Sequence, residues 1–346
     1  MRYKKLQEIM TLPQILVTDP VMIYYFIGKE YDPGERLLAL LIQKDKEPLL
    51  FLNKLFIAPD TIKTISYEDS DNPINLIKSY LAHKDLGIDG TWAARFVIPF
   101  IHDYDIHDAS ATLESLRRIK DNDEIELMTK VSEHNDRIME ELKHEIRVGM
   151  TEIELADIIN TKQNTDPLEG VSFTPIALFS ENIADPHGIP SNRKLTENDM
   201  VLIDMGGMYK HYASDMTRCF LVGSKPELEK IYEICRQANE AAIAAIAPGV
   251  SFASIDKAAR DVISDAGYGE YFVHRTGHGI GLEAHENLDV SSSNQELVQI
   301  GMCFSIEPGI YIPGVGGVRV EDLVCVSEHG VKVLNHYTKS LEQIVQ

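Results

Sequence analysis

Five ionisable residues in the C-terminal half, Asp204, Asp215, His278, Glu307 and Glu321, constrain this chain most, because four of them interrupt segments that otherwise read as buried strand or turn. Val201-Leu202-Ile203-Asp204-Met205-Gly206 is an apolar run broken by a carboxylate, and an unpaired buried carboxylate costs more than a strand can supply. Met302-Cys303-Phe304-Ser305-Ile306-Glu307-Pro308-Gly309 repeats the problem, as does Gly317-Val318-Arg319-Val320-Glu321-Asp322-Leu323-Val324. One such group can be satisfied by a local partner. Several argue for a shared cation, and hence for a fold that brings these segments together.

Spacing suggests how. Asp204 and Asp215 are 11 residues apart with Gly206-Gly207 between them, which fits two antiparallel strands joined by a glycine-containing hairpin. Glu307 and Glu321, 14 apart across Pro308-Gly309 and Pro313-Gly314-Val315-Gly316-Gly317, fit a second hairpin, and the two pairs hint at pseudo-symmetry. In Thr276-Gly277-His278-Gly279-Ile280-Gly281, glycines allow the backbone to carry an imidazole close to the carboxylates. Four carboxylates balance two divalent cations, whereas one would leave two carboxylates repelling each other. A donor set of oxygens and one nitrogen suits manganese first, with cobalt or zinc as alternatives, and disfavours a tetrahedral structural zinc. Paired cations acidify a shared water and stabilise a tetrahedral intermediate, so the expected chemistry is hydrolysis.

The rest of the chain sets limits. With 346 residues and 44% hydrophobic content, two domains are expected. Lys and Arg total 33 against 54 Asp and Glu, and the net charge of -21 opposes nucleic-acid phosphates and anionic lipid, so neither is expected as a partner. Cys219, Cys235, Cys303 and Cys325 show no CxxC pairing, and each sits in an apolar context; the expectation is four free thiols and no disulfide. Neither a signal-length apolar stretch behind MRYKKLQEIM nor a membrane-spanning run is present, which with the thiols points to the cytoplasm.

Residues 12 to about 110 read as a mixed α/β domain, with strands at Ile15-Leu16-Val17, Met22 to Gly28, Leu37 to Gln43 and Leu49 to Leu52, and helices at Ile74 to His83 and Trp92 to Phe100. A charged boundary follows, and Asp121 with Glu124 predicts an N-cap for a long helix to about Arg147. Helices over Thr151 to Asn164, Pro226 to Ala247 and Phe252 to Ala266 mix with strands at Val201, Thr217 to Val222, Met302 to Ile306 and Val318 to Val326. Helices and strands in pairs rather than strict alternation indicate α+β.

VLIDMGG, YASDMTR, GHGIGLEAHE, SIEPGIYIPG and GVRVED, in this order, resemble the creatinase-fold or pita-bread metallopeptidases: prolidase, aminopeptidase P and methionine aminopeptidase. LRRIKDNDEIELM at 116–128 is similar to that domain's entry helix. The resemblance implies a pita-bread catalytic domain over 116–346 behind a smaller creatinase-like α/β domain over 1–115. It implies that Asp204 chelates a first metal, Asp215 and Glu321 bridge both, and His278 and Glu307 complete the second, with Glu307 also handling the proton of the water. His187 and His285 match histidines that donate to the scissile carbonyl or oxyanion, worth about 2.7 to 4 kcal/mol per donor. Arg319 fits the members that act next to proline, and with the N-terminal domain it sets methionine aminopeptidase aside.

The expected substrate is an Xaa-Pro dipeptide, as for prolidase, with aminopeptidase P, acting on longer peptides, as the alternative. A non-catalytic peptide-binding relative ranks below both, since such members usually lose ligands. Asn287-Leu288-Asp289 after His285-Glu286 departs from those prolidases that offer an arginine there, which leaves the carboxylate clamp to Arg193, Arg275 or a partner subunit. Relatives are commonly homodimers, and a homodimer is expected.

Overall fold

The computed structural model describes residues 2–345, which divide into two compact units between Arg117 and Arg118. The first unit contains α1 (Arg2–Ile9), β1 (Gln14–Val17), α2 (Pro20–Ile27), β2 (Ala39–Gln43), β3 (Leu49–Asn53), β4 (Lys63–Tyr67), α3 (Pro73–Lys78), β5 (Asp85–Ile88), α4 (Ala94–Ile101), β6 (Asp105–Asp108) and most of α5 (Ser110–Arg118). Its six strands form one sheet in the order β4-β3-β2-β1-β5-β6. The β1–β2 and β2–β3 pairs are antiparallel, and the remaining neighbours are parallel. Leu16, Leu41, Phe51, Leu86 and Phe100 meet in its core.

One predicted strand of this unit is a helix. Met22 to Gly28 lies in α2, whose Asp19 side chain accepts from the Val21 and Met22 amides, whose Pro20 occupies the first turn, and whose Gly28 closes it at φ 69°. Eight consecutive residues of mostly apolar character do not distinguish buried strand from buried helix; the flanking cap residues do. The helix predicted over Ile74 to His83 is shorter, ending at Lys78.

The second unit opens with α6 (Asn122–Glu145), started by the capping box of Asp121 and Glu124. There follow α7 (Glu152–Gln163), β7 (Ile176–Phe179), β8 (Asp199–Met205), β9 (Met208–Tyr209), β10 (Tyr212–Ala213), β11 (Met216–Val222), α8 (Pro226–Ala244) and α9 (Phe252–Asp265). The chain continues through β12 (Gly277–Gly279), β13 (Glu286–Val290), β14 (Cys303–Ile306), β15 (Gly309–Ile312), β16 (Gly316–Arg319), β17 (Asp322–Ser327), β18 (Gly330–Val333) and β19 (Glu342–Ile344). Two sheets result, β19-β11-β8-β7 and β13-β12-β14-β17-β18, with the short ribbons β9–β10 and β15–β16 beside them. The run predicted as one strand from Val318 to Val326 is thus two, broken at Val320-Glu321.

The two halves of this unit repeat one plan. α6 and α7 share a core with the first sheet, through Met139, Leu155, Ile159, Ile203 and Phe220, while α8 and α9 share another with the second, through Ile231, Phe252, Phe304 and Val324. Thr151 caps α7 and Ser251 caps α9. The Gly149 amide donates to Leu195 O at 2.9 Å, and the Gly249 amide donates to Val298 O at 2.8 Å. The Asn135 side-chain amide on α6 donates to Met205 O at the end of β8, and that of Asn239 on α8 donates to Ile306 O at the end of β14. Both asparagines are fully buried, so each ties the inner helix of its half to the strand end beside a carboxylate.

Cys303 and Cys325 are directly opposed in the β14–β17 ladder and joined by a disulfide. This corrects the expectation of four free thiols: a separation of 22 residues conceals a cross-strand pair until register is known. The argument from cysteine usage to a reducing compartment loses its support with it. Cys219 and Cys235 are free and buried. Among the described residues, no helix is long and apolar enough to cross a membrane.

Candidate metal centre

The five singled-out residues come to one place from five chain segments. Asp204 lies near the end of β8, opposite Thr217 of β11, and Asp215 sits one residue before β11 begins. His278 is the middle residue of β12, Glu307 immediately follows β14, and Glu321 lies in the break between β16 and β17. All four carboxylates sit at or just beyond strand ends, none in a strand middle. Two glycines make the approach of His278 feasible: a Cβ on Gly277 would lie 1.9 Å from Ser305 O, and one on Gly281 would lie 2.6 Å from Glu286 Oε1.

His278 Nδ1 is 3.1 Å from its own chain's Gly279 carbonyl, which places the ring proton there and turns Nε2 toward the carboxylates. Nε2 lies 3.4 Å from Glu307 Oε1 and 3.6 Å from Asp215 Oδ2. Burial, reinforced by the neighbouring His285, pushes the His278 imidazole down to about 3, so the ring is neutral and its nitrogen lone pair is free to bind a cation. Burial first, then the charges of Glu321, Asp204 and Glu307, drives the Asp215 carboxyl well above its ordinary value. Glu321 is raised well above its ordinary value by burial and by Glu307 and Asp204, and burial raises Glu307 to about 7 against the opposing pull of Arg319.

The donor atoms fit a metal. Asp204 Oδ1, Asp215 Oδ1 and Glu321 Oε1 are buried carboxylate oxygens that accept no hydrogen bond among the described residues. Native interiors rarely leave such atoms unmatched. Ligand atoms of Asp215, His278 and Glu321 all lie within 4.8 Å of one another, close enough to meet at one ion.

The second oxygens are held by the protein. Arg319 Nη2 donates to Asp204 Oδ2 at 2.5 Å, Arg319 Nε donates to Thr217 Oγ1 at 3.1 Å, and that hydroxyl donates to Glu321 Oε2 at 2.7 Å. Arg319 Nη1 also donates to the Tyr311 hydroxyl at 2.8 Å, which lies 3.0 Å from His274 Nε2. Burial, then the charge of Arg319, pushes His274 down to about 4, so it accepts that hydroxyl proton as a neutral ring. Thr217, Tyr311 and His274 escaped the sequence reading. Thr217 was within its reach, since two residues after Asp215 on an emerging strand puts both on one face.

All five residues line a cavity of about 730 Å³, together with His187, His285, Arg275 and Arg319 and with the apolar Phe173, Ile176 and Pro186. The His285 ring packs edge-on to that of His278 at 4.0 Å. Its loop is anchored from below: Glu286 accepts the Leu282 amide at 2.9 Å and pairs with the buried Lys120 at 2.8 Å. His187 is exposed at the rim, its amide donating to Asp185. Arg193 is not on the lining; Glu181 accepts from its Nε and Nη2, and Asp199 accepts from its Nη1 and Nη2.

The sequence matches the model of metallopeptidase family M24 over residues 126–328 and that of the creatinase/prolidase N-terminal domain over residues 2–119. The chain belongs to metallopeptidase family M24. This M24 peptidase is 40% identical over 331 residues to an uncharacterized peptidase of Staphylococcus aureus strain USA300, covering 93% of this chain and 94% of the relative. Its structure superposes on a dipeptidase from Pyrococcus horikoshii OT3 with a TM-score of 0.95 at 33% identity, over 99% of this chain and 100% of the other. A recombinant prolidase from Thermococcus sibiricus matches with a TM-score of 0.92 at 32% identity, over 99% and 98% of the two chains. The pita-bread architecture and the creatinase-type N-terminal domain expected from the sequence are therefore both present, and membership of the family brings divalent metal use to the buried cluster.

Proposed function

We propose that this M24 peptidase is an Xaa-Pro dipeptidase whose hydrolytic centre is dinuclear. The observation that carries the reading is the set of three orphaned buried carboxylate oxygens beside a neutral histidine, all opening on one cavity. In this assignment Asp204, Asp215, His278, Glu307 and Glu321 would hold the two ions. Manganese is the first candidate, with cobalt or zinc as alternatives. Two such ions supply Lewis acidity toward the scissile carbonyl and acidify a water. Residues 116–346 form the catalytic domain in this reading and residues 1–115 the N-terminal domain, and the active species is a homodimer.

The protein's own groups carry the remaining work. Glu307 accepts the proton of the attacking water on its carboxylate and passes it to the proline nitrogen as the C–N bond breaks. His285 and His187 donate hydrogen bonds to the carbonyl oxygen as its charge develops. Burial, then Arg275, lowers the His285 pKa, so it donates as a neutral ring and adds no charge to the resting site. Arg319 acts on the orientation of Asp204 and, through Thr217, of Glu321. Phe173, Ile176 and Pro186 give the lining an apolar portion that suits a pyrrolidine ring.

The test compares Ala-Pro, Ala-Pro-Ala and Ala-Ala hydrolysis by the purified protein loaded in turn with Mn2+, Co2+ and Zn2+, with and without chelator. Preferential, chelator-sensitive cleavage of Ala-Pro is expected. Faster cleavage of the tripeptide would make it an aminopeptidase P, and cleavage of nothing under any metal would make it a peptide-binding protein.

A further inference from the structure

An enzyme restricted to dipeptides must recognise a carboxylate that lies about 2.5 Å from the scissile nitrogen, across N–Cα and Cα–C. The recognising cation therefore has to sit in the same cavity as the metal ligands. The site is poorly disposed to receive an anion otherwise, since four carboxylates converge on it and the chain carries a net charge of -21. The lining contains two guanidinium groups, Arg275 and Arg319.

Arg319 is committed. Its three nitrogens are taken by Asp204, Thr217 and Tyr311, with a further contact to Pro186 O, and it is buried. Arg193, the other candidate raised by the sequence, is held by Glu181 and Asp199. Lys120 is paired with Glu286. Arg275 differs from all three. Its guanidinium makes no hydrogen bond or ion pair among the described residues, and the side chain is exposed on the cavity wall. Its backbone is nonetheless fixed: the Arg275 carbonyl is 2.7 Å from His274 Nδ1, and the next residue, Thr276, donates its hydroxyl to the buried Asp256 at 2.7 Å. The position three residues before His278, at the entry to β12, puts a forked donor beside the catalytic wall. Its charge reaches His278, His285 and Glu307. Glu283, the remaining lining carboxylate outside the cluster, already has a partner.

We infer that Arg275 is the specificity-determining residue that binds the substrate's C-terminal carboxylate. The assignment rests on the dipeptidase reading of the site. An arginine fork matches a carboxylate with two parallel charge-assisted hydrogen bonds, and an amide or a continuing chain cannot accept both in that way.

Free L-proline and L-prolinamide, neither of which contains an Xaa-Pro bond, test the clamp apart from catalysis. Calorimetric titration of the metal-loaded protein should show proline binding at least about tenfold tighter than prolinamide. In Arg275→Gln the ratio should fall to about one, and Arg275→Lys should recover part of it. The ratio of kcat/KM for Ala-Pro over Ala-Pro-amide should collapse in parallel, mainly through KM. Undiminished acid preference in Arg275→Gln overturns the assignment, as does a wild-type protein that binds the two ligands equally. Arg275-dependent proline binding without cleavage of any Xaa-Pro substrate would sink the proposed activity and leave the clamp standing. Ala-Pro cleavage with an acid-to-amide ratio indifferent to Arg275 would do the reverse.

Discussion

Thr217 Oγ1 donates to Glu321 Oε2 at 2.7 Å while accepting from Arg319 Nε at 3.1 Å, so one hydroxyl sets the orientation of the Glu321 carboxylate and of the arginine that holds Asp204. Thr217→Val keeps shape and removes both bonds. The expected result is a metal affinity about 10- to 100-fold weaker, as is typical when a ligand loses its outer hydrogen-bond partner. Stability should fall by about 1–3 kcal/mol, because a buried guanidinium nitrogen loses its acceptor. Metal titration followed by calorimetry reads the first effect and urea unfolding the second. Wild-type affinity in the variant would mean that Glu321 is placed by its backbone alone.

Metal-free protein should become less stable as pH rises toward neutrality. Glu307 is raised from 4.5 to about 7, and Asp215 and Glu321 are also raised, so the folded state keeps protons that the unfolded state has released. For carboxyls shifted in this direction the stabilising contribution is complete below about pH 4 and is lost as pH climbs through the folded-state value, near 7 for Glu307. Cation binding replaces those protons and removes the penalty. Melting curves of chelated protein between pH 5 and pH 8 should show a falling Tm that added Mn2+ abolishes. Metal loading at pH 6 should release protons, detected as a dependence of the binding enthalpy on buffer. Identical Tm profiles with and without metal would contradict this account.

Much of this site was legible because a carboxylate inside an apolar run is an energetic anomaly, and each anomaly pointed to the same remedy. What the sequence could not disclose is how the remaining valences are met. Tyr311 lies in an ordinary apolar strand run, and only the β15–β16 register, which pairs Gly309 with Arg319, brings its hydroxyl to the guanidinium. Cys303 and Cys325 were hidden in the same way, since cross-strand neighbours are a property of register. The α2 segment failed for a different reason. Its apolar residues have no useful period, and the Asp19-Pro20 start and Gly28 stop were the only local evidence of helix. By contrast α6 was readable to within a few residues, because Asp121 and Glu124 spell its capping box.

Asp322, next to Glu321, is held by a second arrangement in which Arg218 and Asp322 are buried and Lys339 is partly exposed. Arg218 Nη2 donates to its Oδ1 at 2.7 Å, Lys339 Nζ lies 2.6 Å from its Oδ2, and Arg218 Nη1 also donates to the Glu321 carbonyl at 2.6 Å. Removing one partner from a buried pair leaves an uncompensated charge, so Asp322→Asn should cost about 3–5 kcal/mol in urea unfolding. Metal affinity should fall as well, since the Glu321 backbone shares the same arginine. A loss under about 1 kcal/mol would show that water reaches and solvates Arg218 in the variant.

Asp199, at the start of β8, gives a pH dependence of opposite sign to that of Asp215, Glu307 and Glu321. Burial opposes its ionisation, but Arg193 and the Thr196 hydroxyl and amide all donate to it and hold its carboxyl at about 2. Its ordinary value is 3.8, so the unfolded state binds the proton first on acidification. The ion pair therefore contributes fully above about pH 4, on the order of 2 kcal/mol, and that contribution disappears as pH falls through about 2. Asp199→Asn removes the titration and leaves Arg193 with Glu181 alone. The stability difference between wild type and variant, from urea unfolding at a series of pH values, should stay level from pH 7 to about pH 4 and then shrink steadily toward pH 2. A difference that remains constant down to pH 2 would mean that Asp199 matters through packing and hydrogen-bond geometry, with no part for its charge.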